Sequence, residues 1–176
     1  MRTGKIWLLT GAVVAGVVAH FGSALATPAS GFSSTTIALG RFGDIEAVNQ
    51  MIRQFGDPTP RKDLWLSLQR TKGPSDLYVQ SNVWQVGGSS GWHTHPGHSL
   101  IIVTAGTVTA YDGNDSSCTP KEYTVGMGFV DSGGDHIHLI RNEDSGEARS
   151  ITVQLLPAGA TRRIDAEAPQ ACLHIH

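Results

Sequence analysis

Residues 87–111 read GGSSGWHTHPGHSLIIVTAGTVTAY, and this stretch decides the fold class. Its first half turns on glycines and carries His93 and His95 two residues apart. Its second half, Leu100–Ala105, is apolar and β-branched, broken at Gly106 and resumed in Thr107–Tyr111. Short extended runs punctuated by glycine are the pattern of antiparallel strands rather than of helices. Along a strand, side chains two apart point to the same face. His93 and His95 therefore aim together at one point.

The same pattern continues in both directions. Downstream, Asp112-Gly113-Asn114-Asp115 is a hairpin-type turn, followed by extended runs at Tyr123–Val125, Phe129–Val130, Ile137–Ile140 and Ser150–Leu156. Upstream, Leu64, Leu66 and Leu68 alternate with Trp65, Ser67 and Gln69, and Leu77–Val86 forms a longer run ending at Gly87-Gly88. Many short strands at near-regular spacing predict an all-β sandwich or barrel. One segment reads differently. Ile45, Val48, Ile52 and Phe55 fall at helical spacing after Asp44 as a cap, although an extended reading fits them equally well. Asp57-Pro58-Thr59-Pro60 then ends whatever precedes it. Thr27–Ser34 is small and polar, an extended or loose lead-in.

The chain has 176 residues, 40% hydrophobic and 16% charged, with 21 Gly and 8 Pro. That suits one domain with a real core, and the high glycine with low charge leans towards turn-rich β structure. Thirteen basic against 15 acidic residues give a formal charge of -2, so nucleic acid is excluded as the expected partner. No internal period suggests a solenoid or propeller.

Residues 1–26 read as a cleaved signal peptide. Arg2 and Lys5 start it, Ile6–Ala19 is apolar or small apart from Thr10, and Ala24-Leu25-Ala26 supplies a cleavage site. An uncleaved membrane anchor is the alternative, since Ile6–Ala26 just reaches bilayer-spanning length. Cleavage before Thr27 removes two of the 13 basic and none of the 15 acidic residues, shifting the formal charge from -2 to -4. The remainder divides into an N-terminal extension over 27–62, a β-barrel over 63–157 and a C-terminal tail over 158–176. In an exported chain, the two cysteines, Cys118 and Cys172, read as one disulfide.

Of the eight histidines, five crowd two segments: His93, His95 and His98 in one, His136 and His138 in the other. Strand parity gives each segment an inward-pointing pair. A barrel that sets the segments side by side would converge three or four neutral imidazoles, favoured ligands of zinc, copper, iron and nickel. His174 and His176 lie at a fraying chain end and suggest only adventitious binding.

Gly87–Gly106 resembles the first cupin motif, which runs from a glycine through His-x-His to a Glu and, seven residues later, a glycine. Gly126–Asn142 is similar to the second motif, with His138 four residues before Asn142. The resemblance spans roughly residues 82–156. It implies a double-stranded β-helix (jelly-roll) barrel with a divalent metal inside, held by two His, one Glu and a third His. Carried onto this sequence, it assigns His93, His95 and His138 as ligands. The family Glu falls at Ser99, whose hydroxyl is a weak ligand, although its phase faces inward. His98 is out of phase unless Pro96-Gly97 kinks the chain, and His136 remains the rival of His138. The second motif also lacks its proline, having Ser132-Gly133-Gly134-Asp135 instead.

Three neutral imidazoles leave the ion its full +2 charge, with open positions for water or an anionic ligand. Zinc hydrolysis and iron or copper oxygen chemistry both suit such a centre. The resemblance makes a dioxygenase-like enzyme acting on a small molecule the leading class. Export and affinity order favour zinc or copper, the resemblance favours iron or manganese, and nickel stays open. The competing expectation is a non-catalytic extracytoplasmic protein that binds metal or a small ligand, because the fold serves both uses. It draws weight from the absence of acid/base residues in the first motif, the nearest acids being Asp131 and Asp135. Trp84 and Tyr111 read as pocket wall or plain core. Arg162-Arg163 and Arg141 read as isolated basic residues on the surface or rim. The expected partner is a small molecule, with no stable membrane association after cleavage. The resemblance adds a homodimer paired through sheet edges.

Overall fold

The computed structural model describes residues 26–52 and 64–175. The expected signal peptide therefore lies outside the described residues, apart from Ala26, as does Phe55. Among the described residues, no helix is long and apolar enough to cross a membrane.

Twelve strands and one short 3-10 turn make up the described chain. β1 (Ser30–Phe42), β2 (Ile45–Ile52), β3 (Leu64–Thr71) and β4 (Ser75–Ser89) come first. β5 (His93–Thr94), β6 (Ser99–Ala105), β7 (Thr107–Asp112) and β8 (Lys121–Thr124) follow. β9 (Gly128–Asp131), β10 (His138–Arg141), β11 (Ala148–Pro157) and β12 (Ile164–Asp165) complete the set. Ten of them form one continuous antiparallel sheet that curls into a nearly closed barrel. One wall is β1-β4-β11-β6-β9 and the other β12-β5-β10-β7-β8, joined where Ser89 of β4 pairs with Arg141 of β10. The fold is all-β, as the strand pattern predicts, and a jelly roll, as the resemblance implies.

The alternation of the sequence sets the two faces of the first wall. Ser99, Ile101 and Val103 of β6 are buried, as are Ala148, Ser150, Thr152, Gln154 and Leu156 of β11. The interior is apolar at one end, around Trp84, Val103, Val108 and Ile140, with Phe32 and Phe129 packed against them. Towards the other end it turns polar, with Gln80, Asn82, Thr152 and Gln154. Amide-rich barrel interiors need partners, and Asn82 Nδ2 donates to Thr152 Oγ1 at 2.8 Å. A second apolar cluster lies against the other wall, where Trp92, Tyr111 and Leu139 pack under Cys118 and Cys172. Cys118 and Cys172 are disulfide-bonded, with Cα atoms 5.4 Å apart.

Gly106 is needed where β6 passes into β7. Its φ is +64°, and a Cβ there would sit 2.7 Å from the Glu147 carbonyl oxygen and 3.0 Å from Ala148 Cα.

Two segments that the sequence leaves open are extended in the structure. The helical spacing after Asp44 is instead strand β2, paired with β3 from Ile45↔Thr71 to Ile52↔Leu64. The strict alternation of β3 offers a complete ladder, and a lone short helix has no packing partner of equal worth. The lead-in is extended from Ser30, and β1 runs on to Phe42 against β4 in the barrel wall. With its continuation, β2 against β3, it forms one long ribbon bent at Gly43-Asp44 and Lys72-Gly73-Pro74.

Candidate metal centre

Strand pairing assembles the site. β10 lies against β5 with His138 opposite His93, and His95 follows one residue after β5. The ring centroids are 4.8 Å apart for His93–His95, 4.3 Å for His93–His138 and 5.4 Å for His95–His138. Their nitrogens approach within 4.8 Å of one another, a spacing that a single ion can bridge. The turn between the two motifs is held by backbone: Gly134 N donates to the His95 carbonyl at 2.7 Å. Gly133, at φ +65°, permits this apposition, because a Cβ there would lie 2.2 Å from the Gly97 carbonyl oxygen.

The imidazoles are oriented as ligands should be. His93 Nδ1–H donates to the Gly91 carbonyl at 2.8 Å, and His95 Nδ1–H donates to the Arg162 carbonyl at 2.6 Å. Each bond leaves Nε2 unprotonated and free to bind a metal. His138 Nδ1 is buried and has no hydrogen-bond partner among the described residues, although Asp131 Oδ1 is 3.4 Å away. Burial pushes the His93 pKa well below the imidazole range, with the charges of His138 and Arg163 acting the same way. Burial also lowers His95, and lowers His138 to about 4 against the opposing pull of Asp131. All three are neutral at pH 7, the form that coordinates.

Ser99 is buried and inward-facing, as its phase requires, and no carboxylate stands at its position. The carboxylate comes from the neighbouring strand. Asp131 of β9 pairs directly with Ser99 of β6 and is only 2% exposed. Its Oδ2 lies 3.5 Å from His95 Nε2, and its Oδ1 accepts from Gly133 N at 3.0 Å. Ser99 Oγ donates to Asp131 Oδ2 at 3.4 Å and accepts from Gln154 Nε2 at 3.2 Å. Ser99, at the position that the resemblance gives to Glu, thus orients a buried acid on the neighbouring strand. The sequence offers Asp131 only together with Asp135, as the two acids nearest His136 and His138. Its register against Ser99 was not visible.

The other histidines fall into place around this group. His98 points away and lines an outer groove with Gln69 and Leu155. His136 precedes β10, so strand parity does not govern it. Its Nε2 is 3.0 Å from Asp112 Oδ1 and its Nδ1 is 3.4 Å from Asp131 Oδ1. Asp131, His136 and His138 therefore form a second ligand-like group sharing His138 with the first. His174 is exposed, and His176 lies outside the described residues.

The centre opens into a cavity of about 70 Å3. Trp84, Gln80, Asn82 and Gln154 contribute to its wall, and so do Arg162 and Arg163, which the sequence reading had left at the surface or rim. Trp84 is cavity wall and core together. Tyr111 packs under the disulfide, where its hydroxyl donates to Glu143 Oε1 at 2.8 Å; burial first, then Glu143, pushes its pKa up to about 12.

A three-histidine set with an inward carboxylate, one imidazole nitrogen unpaired, fits a divalent ion. The donors suit zinc, iron, manganese, copper or nickel alike.

No protein-family model and no curated protein matches the chain. Solved structures do. A cupin superfamily protein from Desulfitobacterium hafniense is 14% identical, with TM-score 0.39, over 46% of this chain and 67% of that one. An oxalate oxidase is 18% identical, with TM-score 0.40, over 47% of this chain and 46% of its own. A cupin-like protein from Thermotoga maritima is 18% identical, with TM-score 0.45, over 52% of this chain and 65% of that one. Each match covers about half of this chain.

Proposed function

We propose that the protein is an exported barrel of cupin type that holds one divalent metal through His93, His95, His138 and Asp131 and acts with oxygen on a small molecule. The observation that carries this reading is the convergence of three neutral imidazoles, with buried Asp131 beside His95 and His138 and with His138 Nδ1 unpaired. When bound, the metal supplies a Lewis acid and open positions for substrate and oxygen. The protein's own part is orientation. Gly91 and Arg162 fix two ring tautomers, Gly133 and Ser99 fix Asp131, and the polar wall of Gln80, Asn82 and Gln154 positions a hydrophilic substrate.

A non-catalytic metal- or ligand-binding role is the second reading. It is favoured by the cavity wall itself, where Asp131 is the sole carboxylate among the described residues and is already committed to the centre. Export rests on the signal-like residues 1–26, with the disulfide in agreement. Secreted protein should have an intact mass that begins at Thr27. Metal analysis of that protein, purified without a tag or nickel, should find about one ion per chain. Fewer than one per ten chains overturns the reading. With metal present, oxygen consumption on candidate substrates separates enzyme from binder.

A further inference from the structure

The structure assigns a ligand class to this centre: a small carboxylate, gripped at the cavity wall by Arg163 with Arg162 beside it. This rests on the metal reading above and deepens it. The two arginines arrive by strand pairing rather than by sequence proximity. β12 lies against β5, with Ile164 opposite Thr94 and Asp165 opposite His93, which carries residues 162 and 163 to the metal ligands. Arg162 accepts the His95 Nδ1 bond through its carbonyl, so the strap and the centre are one unit.

Arg163 is held but not spent. Its Nε donates to Asp165 Oδ1 at 2.6 Å, whereas its Nη2 is buried without a partner among the described residues. A buried guanidinium nitrogen left unpaired is costly, and a carboxylate oxygen is the acceptor that matches its geometry. Arg162 stacks on Tyr78, its guanidinium carbon 5.4 Å from the ring centroid, and adds positive charge to the same wall. Two residues of the cavity wall also carry buried, unpaired polar atoms, the donor Trp84 Nε1 and the acceptor Gln154 Oε1.

Charge points the same way. A divalent ion with Asp131 leaves +1, Asp165 offsets Arg163, and Arg162 remains. The site is therefore cationic and takes an anion. Its volume of about 70 Å3 restricts that anion to a few heavy atoms, given that one water needs roughly 10–15 Å3 on this measure.

The test is calorimetric titration of the zinc-loaded protein with acetate and malonate, against acetamide and malonamide as neutral isosteres. Zinc content is measured in parallel. The carboxylates should bind at least tenfold more tightly than the amides. Arg163→Gln should weaken carboxylate binding about tenfold with zinc content unchanged, and Arg163→Lys should fall between. Asp165→Asn should keep or tighten binding, because it removes the competing carboxylate. Equal affinity for acid and amide overturns the proposal, as does an unchanged Arg163→Gln. So does an Asp165→Asn loss matching that of Arg163→Gln, which would mean that the pair only braces the strap. Wild-type protein that takes no zinc sinks the metal reading instead. In that event the same Arg163→Gln comparison on metal-free protein still decides the carboxylate site.

Discussion

Asp131 is the residue on which the centre balances. It is buried among three imidazoles, held by Gly133 N and Ser99, and contributes the one negative charge. Asp131→Asn keeps the shape but removes that charge, so divalent-metal affinity should fall by tenfold or more in a metal-competition assay. His93→Ala and His138→Ala should lose most of the metal, and His98→Ala should lose none. His136→Ala touches Asp131 without belonging to the first triad, so it should retain at least half. Loss with His136→Ala but not with His93→Ala would move the ion to the Asp131–His136–His138 group.

The imidazoles also set a pH dependence. Their pKa values are depressed on folding, His138 to about 4 from 6.5. Between those values the unfolded chain binds more protons than the folded one. Stability is therefore present above about 6.5 and drains as pH falls towards 4, by an amount on the order of 3 kcal/mol for His138 alone. The melting temperature of metal-free protein should fall through that window. A flat profile would show that these rings are not buried neutral.

Among the elements, the loops set the site as much as the strands. Gly133 lets the turn after β9 close on Gly97, and Gly134 N holds the His95 carbonyl. Gly133→Ala forces a side chain into a left-handed conformation and into a backbone oxygen. It should cost about 2 kcal/mol or more. Thermal unfolding measures that cost, and reduced metal retention should accompany it. An unchanged melting temperature would mean that the turn rearranges freely. Element type was legible where alternation was strict, as in Leu64–Leu68 of β3. It was ambiguous in β2, where the spacing of Ile45, Val48 and Ile52 fits helix and strand alike and only the ladder with β3 decides. In β6 the outward residues are apolar too, Leu100 and Ile102 being about half exposed. Parity alone could not say which side faced in, and the inward phase came from His93, His95 and Ser99.

For the molecule as a whole, the disulfide ties the C-terminal strap to the barrel. Cys118 follows β7, Cys172 lies in the turn after β12, and both pack on Trp92, Tyr111 and Leu139. Breaking a link across 54 residues should cost about 4 kcal/mol on the chain-entropy model. Cys118→Ser with Cys172→Ser should therefore melt well below wild type under non-reducing conditions. Carboxylate binding should suffer before metal binding, since Arg162 and Arg163 ride on the strap and the three histidines do not. Equal melting of the two proteins would leave the link without a structural role.

By itself the sequence determined the strand character, the jelly-roll class, the inward phase of His93, His95 and Ser99, and the cysteine pair. The strand character and the inward phase follow from short-range spacing, because strand geometry repeats every two residues and glycine marks where it must break; the jelly-roll class is what the resemblance to the cupin motifs implies, and the cysteine pair follows from an even count in a chain read as exported. Only the tertiary structure decided that Asp131 stands opposite Ser99, that His136 lies beside the centre, and that Arg162 and Arg163 line the cavity, whereas the outward place of His98 agrees with its strand phase. Those placements depend on which strand lies beside which, β9 against β6 and β12 against β5, and on register. Register is set by packing summed over the whole barrel, so no local window of the sequence contains it.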